Sequence, residues 1–241
     1  ELLKAEGKLV LSEEAKYNKN DFIFEGTKIV GFSELGKEKS GYNKNLIIPN
    51  KNKKGEAITE IGDNAFEYTG EYEYTTDTGE SLNGLLSVEI PKTVKKIGKS
   101  AFQKNKLKEV ILPEGLEEIG TLAFNGNQLV SIEIPDSVVK MGEGTFSLNN
   151  ISYAKLSKNM KAVPNGIFSR NLNLKNIDIP DGVEKIGQSA FSGCPLESIN
   201  IPNTVKKIER YAFLSHRIST LEIPSSVETI EDQAFASNKK F

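Results

Sequence analysis

The chain holds one cysteine, Cys194, and one histidine, His216, and a thiol near an imidazole is the pairing that a nucleophile and its general base require. Such a site also needs a group that orients the base and an oxyanion-stabilising site. Neither is indicated in the residues around Cys194 and His216. His216 is also the sole imidazole available to haem or a small ligand. Acids gather in Glu67-Tyr68-Thr69-Gly70-Glu71-Tyr72-Glu73-Tyr74-Thr75-Thr76-Asp77-Thr78-Gly79-Glu80, whose spacing does not follow a calcium-loop pattern. The sequence therefore predicts no catalytic residue, no metal and no cofactor.

Charge narrows the partners. Lys plus Arg number 31 against 33 Asp plus Glu, a net charge of -2, which argues against the clustered positive charge that nucleic acid or a polybasic membrane contact needs. No apolar run approaches the roughly 18–20 residues of a membrane helix, so no insertion by this chain is expected. The opening Glu1-Leu2-Leu3-Lys4 lacks the layout of a secretion signal, and the expectation is that any signal or anchor has been removed or lies outside these residues.

The elements that would carry any site come from a repeat. Phenylalanine recurs at 66, 102, 124, 146, 168, 191, 213 and 235. A second register follows it in Ile90-Pro91, Leu112-Pro113, Ile134-Pro135, Ile179-Pro180, Ile201-Pro202 and Ile223-Pro224, and a third in Val94, Leu116, Val138, Met160, Val183, Val205 and Val227. The unit reads L-x-x-V-x-I-P-x-x-V-x-x-I-G-x-x-A-F-x-x-N-x. In Leu129-Val130-Ser131-Ile132-Glu133-Ile134-Pro135 apolar and polar residues alternate, as in a strand, until proline removes the N–H that a ladder needs. Val94-Lys95-Lys96-Ile97-Gly98 should turn the chain back, and the stretch ending in Ala101-Phe102 resembles a single helical turn. One coil cannot cover its own apolar faces, so stability must come from stacking, with the phenylalanines as a buried spine.

Three residues past each phenylalanine stand Asn105, Asn127, Asn149, Asn171, Cys194, His216 and Asn238. A tight turn in a solenoid buries backbone N–H and C=O groups that strands leave unpaired, and an amide can both donate and accept there. Cys194 and His216 are read as further rungs of this ladder. The outward strand positions form two columns: Glu89, Ile111, Glu133, Lys155, Asp178, Asn200 and Glu222, and, two residues earlier, Ser87, Glu109, Ser131, Tyr153, Asn176, Ser198 and Thr220. Such a face is either solvated surface or a binding surface. Lys95, Lys96, Glu117, Glu118, Lys140, Lys161, Glu184, Lys185, Lys206 and Lys207 line another side, with solubility as their expected role.

These coils resemble the BspA-like branch of the leucine-rich-repeat family. The likeness rests on seven coils between Leu85 and Phe235, on Ile48-Pro49 and on Ile58-Thr59-Glu60-Ile61-Gly62-Asp63-Asn64-Ala65-Phe66; Ala190-Phe191-Ser192-Gly193-Cys194-Pro195-Leu196-Glu197-Ser198-Ile199 is especially close to the usual repeat. The resemblance implies an α/β repeat: a right-handed solenoid with a parallel concave β-sheet, and short turns or single helical turns between strands. It also implies a secreted or surface-attached bacterial protein that acts in adhesion, binding a protein ligand such as a host matrix or plasma protein, or other cells. The alternative is a structural spacer presenting other domains. The family shares no catalytic residues.

Departures and ends complete the expectations. The fourth full coil carries Ser157 for proline, Met160 for valine, Val163-Pro164 for Ile-Gly and Ile167 for alanine. Pro164 is locked near φ −65°, unlike the positive φ open to Gly98, Gly120 or Gly187, although Glu209 and Glu231 weaken a general need for glycine. This is either repeat drift or a local change of curvature that presents Tyr153. An insert at 67–84 is either a tolerated loop, with room for a hairpin at Asp77-Thr78-Gly79, or a binding element. Residues 1–40 do not keep the period and are expected to cap the solenoid of about eight coils at 41–241. Within them Phe22–Phe24 and Lys28–Phe32 flank Glu25-Gly26-Thr27 as a β-hairpin, and Ser12-Glu13-Glu14-Ala15 begins a brief helix. The abrupt finish at Phe241 suggests a longer protein or a following domain. The residues expected to bind are Tyr68, Tyr72, Tyr74, Glu109, Ile111, Glu133, Tyr153, Lys155 and Asp178.

Overall fold

The structure, a computed structural model, describes residues 2–5, 8–11, 16–68, 70, 84–214, 217–218 and 221–237, with backbone alone at 2–5, 8–11 and 41–42. The expected helix start at Ser12–Ala15 lies outside the described residues. Strands β1 (Leu2–Ala5) and β2 (Lys8–Leu11) form an antiparallel hairpin. A second hairpin pairs β3 (Phe22–Glu25) with β4 (Lys28–Phe32) through a turn at Gly26-Thr27, where Gly26 takes φ +61°. Helix α1 (Glu34–Tyr42) follows, opened by Ser33, whose hydroxyl accepts the Gly36 N–H. It is tied down by a buried ion pair, Lys39 Nζ to Asp21 Oδ2 at 2.8 Å. Two further bonds complete the pair: Lys39 donates to the Lys16 carbonyl, and Asp21 accepts the Asn18 N–H.

The repeat then begins. A leading coil carries β5 (Asn45–Ile47) and β6 (Glu60–Ile61) and ends at Phe66. We number the full coils from Leu85. Coil 1 carries β7 (Ser87–Glu89) and β8 (Lys96–Ile97), and coil 2 carries β9 (Glu118–Ile119). Coil 3 carries β10 (Ser131–Glu133) and β11 (Lys140–Met141), and coil 4 carries β12 (Tyr153–Lys155) and β13 (Ala162–Val163). Coils 5, 6 and 7 contribute β14 (Lys185–Ile186), β15 (Lys207–Ile208) and β16 (Thr229–Ile230).

Each coil has three sides. On the proline side, before the Ile-Pro step, β5 pairs in parallel with β7 and β10 with β12, and isolated parallel bridges carry Lys155 to Asp178 and Asp178 to Asn200. The expected single sheet is therefore interrupted on this side, with no strand in coil 2. The lysine side, expected only to turn the chain back, is a second set of parallel strands. It runs β3-β4-β6-β8-β9-β11 and then β13-β14-β15-β16, antiparallel only where β3 meets β4. The hairpin thus joins the repeat through β4, whose Ile29 lies opposite Ile61.

The third side holds the phenylalanines, and it corrects the expectation of helical turns. In coils 1 to 5 the residues two before and two after the phenylalanine have left-handed φ, as in Ser100 (+52°) and Lys104 (+60°) or Leu122 (+57°) and Gly126 (+69°), which no α-helical turn contains. The backbone N–H groups point to the next coil instead. Phe66, Phe102, Phe124, Phe146, Phe168, Phe191 and Phe213 donate to the carbonyls of Ala101, Ala123, Thr145, Ile167, Ala190, Ala212 and Ala234 at 2.7–3.0 Å. Phenylalanine rings stack from Phe66 to Phe235 with centroids 5.1–6.1 Å apart and planes within 21° of parallel. Phe102 through Phe213 are fully buried, as a spine requires.

A second correction concerns glycine. Gly98, Gly120, Gly142 and Gly187 do not occupy the left-handed region. Their role is close approach: a Cβ on Gly120 would lie 2.5 Å from the Lys99 nitrogen, and one on Gly142 only 2.1 Å from that of Thr121. Hydrogen, not φ freedom, is what those positions need.

Candidate functional site

The polar rungs occupy the bends between the phenylalanine side and the next strand. Asn149 Nδ2 donates to the carbonyls of Phe124 (2.9 Å) and Phe146 (3.1 Å), while its Oδ1 accepts the Leu129 N–H (3.0 Å). Asn105, Asn127 and Asn171 repeat this three-bond pattern one coil apart. Cys194 fills the next rung: fully buried, its Sγ donates to the Phe168 carbonyl at 3.1 Å. A thiol cannot replace the amide oxygen well, and the Leu174 N–H turns to the Asn171 carbonyl instead. Burial pushes the thiol up to about 12, against the weaker pull of a backbone hydrogen bond from Asn171, so this sulfur is the reverse of an activated nucleophile. His216 and Asn238 lie outside the described residues. Among the described residues no group of three or more His, Cys, Asp or Glu is placed to hold a metal ion.

The proline side collects most of the residues expected to bind. Ile111, on coil 2, is 85% exposed, and Tyr153, on β12, is 53% exposed. Tyr153 sits in register with Ser131, and Lys155 with Glu133, to which its Nζ comes within 3.6 Å. Asp178 continues the row through its bridge with Lys155. Because coil 2 contributes no strand here, a groove of about 360 Å³ opens between coils 2 and 3, lined by Glu109, Ile111, Glu114, Ser131, Glu133 and Asp136 among others. Its charge is acidic, with Lys155 at one end already facing Glu133. Tyr68 is not part of this surface: it lies two residues past the leading coil, half-buried, with its N–H on the Gln103 carbonyl. Tyr72 and Tyr74 fall outside the described residues, as does most of the 67–84 insert.

On the lysine side, charges alternate along the first coils, with Lys96 reaching Glu60 (3.8 Å) and Glu118 (3.6 Å) and Lys140 reaching Glu118 (3.9 Å). In coils 5 and 6 the like charges Lys185 and Lys207 are adjacent. Glu209 and Glu231, which stand where other coils have glycine, answer them at 3.4, 3.3 and 2.6 Å. The hydrogen bond to Glu231, and next that to Glu209, raises the Lys207 pKa, and the same Lys207 contact lowers that of Glu231.

A family model for the BspA type leucine rich repeat region matches six copies, over residues 78–194 and 161–241. The chain belongs to the BspA-type leucine-rich repeat family. Solved structures agree on the leucine-rich repeat fold. A leucine-rich repeat protein from Bacteroides ovatus is 23% identical, with a TM-score of 0.66 over 89% of this chain and 60% of its own. One from Eubacterium ventriosum is 25% identical, with a TM-score of 0.57 over 81% of this chain and 59% of its own. The leucine-rich repeat protein of T. pallidum is 22% identical, with a TM-score of 0.54 over 90% and 86%. The chain thus spans about three-fifths of the length of the first two. No curated protein matches it by sequence. Among the described residues no helix of this BspA-type repeat is long and apolar enough to cross a membrane.

Sequence reasoning missed Glu114 and Asp136 in the groove, though each directly follows the proline of its repeat, Pro113 or Pro135. It also missed that coil 2 leaves the sheet, for which Glu109-Val110-Ile111 carries no evident signal.

Proposed function

We propose that this repeat is a protein-binding module of a secreted or surface-attached bacterial protein, without enzymatic activity, acting in adhesion to a host matrix or plasma protein or to other cells. The observation that carries the reading is the pair Ile111 and Tyr153. Two large side chains stand exposed on the proline side, Ile111 outside any strand and Tyr153 on β12, where the solenoid core has no use for them. Aromatic and aliphatic anchors ringed by polar groups are what a protein interface concentrates at its centre. Glu109, Glu133 and Asp178, with Lys155, form that ring, so the partner would present a basic, partly apolar patch. This reading takes the solenoid as right-handed with the proline side concave. It takes 1–40, with its β-hairpin, as the cap of the repeat at 41–241, and the 67–84 insert with Tyr68, Tyr72 and Tyr74 as a second contact.

The unbroken phenylalanine-side ladder, which stiffens the stack from the leading coil to coil 7, favours a second reading as a spacer for other domains. Binding of the chain to an immobilised panel of matrix and plasma proteins separates the two. Saturable binding that is lost with Ile111→Ser and Tyr153→Ala supports the module, and loss on deleting 67–84 would add the insert. Absence of binding to every member, or full binding by the double variant, overturns the assignment of this surface.

A further inference from the structure

The lysine-side ladder breaks at one junction, between coils 3 and 4. Elsewhere the residue at the glycine position hands its N–H to the preceding coil: Gly142 to the Ile119 carbonyl (2.8 Å), Gly187 to Val163 (2.9 Å), Glu209 to Ile186 (2.9 Å). In coil 4 that residue is Pro164, which has no N–H to give to Met141. The companion bond, of the kind made by Lys140 N–H to the Glu117 carbonyl, also has no counterpart from coil 4 to Val139. The other two sides stay closed, through Phe146 N–H to the Ile167 carbonyl (3.0 Å) and Ile134 N–H to that of Lys155 (2.9 Å). The two coils therefore part on one side only. They leave a cleft of about 420 Å³ between the facing edges of β11 and β13, within the size range of ligand-binding clefts.

The lining of this cleft differs from the rest of the lysine side. The chain has two methionines, Met141 and Met160, and both lie in it beside Val139, which is 63% exposed. Methionine adapts its shape to varied partners, and an exposed valine next to it is surface left for contact. The outward column reads Glu60, Lys96, Glu118, Lys140, Ala162, Lys185, Lys207, so the side chain that would fill the gap is cut back to a methyl group at Ala162. Lys140, Lys161 and Lys185 stand at the rim, and the lone acid, Glu143, accepts from Asn165 Nδ2 at 3.0 Å. Lys140 and Lys185 share outside carboxylates, Glu118 and Glu209, but Lys161 has no acidic partner among the described residues.

We infer that this cleft binds an extended acidic segment of a partner polypeptide, one in which Glu or Asp alternates with small apolar residues. Its backbone would lie along the open edge formed by Val139 and β11, where the Val139 and Met141 carbonyls accept no bond from coil 4, in the manner of strand addition to a sheet edge. Its apolar side chains would meet Met141 and Val139 over the buried Met160, and its carboxylates the three lysines. The site is distinct from the acidic groove of the proline side and asks for the opposite charge.

The test is a fluorescein-labelled peptide, acetyl-Glu-Val-Glu-Leu-Glu-amide, titrated with the whole chain and read by anisotropy at low ionic strength. Saturable binding is expected, weakened about tenfold or more by Lys161→Glu, since one exposed charge has been reversed against several carboxylates. Pro164→Gly restores the missing donor and is expected to close the cleft and abolish binding, with the amide it introduces exchanging slowly. Tyr153→Ala on the proline side should leave the titration unchanged. No saturable binding of the glutamate peptide, equal binding of its lysine counterpart, or titrations untouched by both Lys161→Glu and Pro164→Gly would overturn the inference.

Discussion

Replacing Asn149 by alanine isolates the energetic role of one rung. The side chain is buried and makes four hydrogen bonds, the longest to the Ser147 carbonyl at 3.2 Å, but they are not equivalent. The Phe124 carbonyl also accepts from Asn127, and the Phe146 carbonyl from Asn171, so each keeps one donor when Asn149 is lost. The Leu129 N–H has Asn149 Oδ1 as its acceptor, and Leu129 is fully buried. Orphaning a buried N–H costs about 1–3 kcal/mol, and the weakened carbonyls add less, so a loss of about 2–3 kcal/mol is expected. Asn149→Asp should be worse than alanine, because a carboxylate facing two carbonyls is a buried charge without donors there. Urea unfolding measures the loss as a lower midpoint at unchanged slope. A repeat array can unfold piecewise, so amide exchange supplies the local readout: the Leu129 amide should lose protection well beyond that of the Phe146 amide, whose acceptor is the Ile167 carbonyl. A loss below about 1 kcal/mol with Leu129 as protected as in the parent would refute the view that rungs hold the stack by satisfying strand-entry amides.

Two further perturbations test the interior. The Cys194 thiol, raised from 9.0 to about 12 by burial, should resist a disulfide reagent in the native chain at pH 8 and react once urea unfolds it. Above pH 9 the unfolded chain releases this proton while the native chain keeps it, so stability falls as pH rises toward 12, a slope missing in Cys194→Ser; identical slopes in parent and variant would contradict it. Lys39→Met leaves Asp21 as a buried carboxylate whose remaining bond is the Asn18 N–H, and about 3–5 kcal/mol should be lost in the unit that carries β3, β4 and α1. A change under 1 kcal/mol in denaturant unfolding would mean that water reaches Asp21 freely.

How much of this was legible in the chain differs by feature. The phenylalanine column, the asparagine rungs and the assignment of Cys194 to a rung follow from spacing, because every coil must bury the same apolar face and satisfy the same bend. The hairpin at Phe22–Phe32 was readable from its alternation and turn residues, whereas α1 was not, since Glu34–Tyr42 holds two glycines, Gly36 and Gly41, and no apolar stripe. The lysine side escaped notice as a set of strands because two residues, such as Lys96-Ile97, are too few to display alternation; what makes them strands is the pairing with the coil on either side.

Pro164 shows where the boundary falls. Its place in the repeat, its missing N–H and the absence of glycine are plain in the linear chain. Which carbonyl loses its donor, and that the coils part on one side while two others hold, depends on three ladders acting at once. The same applies to Ile111, whose outward position is readable by period two but whose isolation from both neighbouring strands is not. Repetition determined the spine, the rungs and the family, because one physical problem is solved identically in each coil. Tertiary structure decided where the sheets break and which side chains meet across the gaps, because those are outcomes of competition between neighbouring coils that no single coil contains.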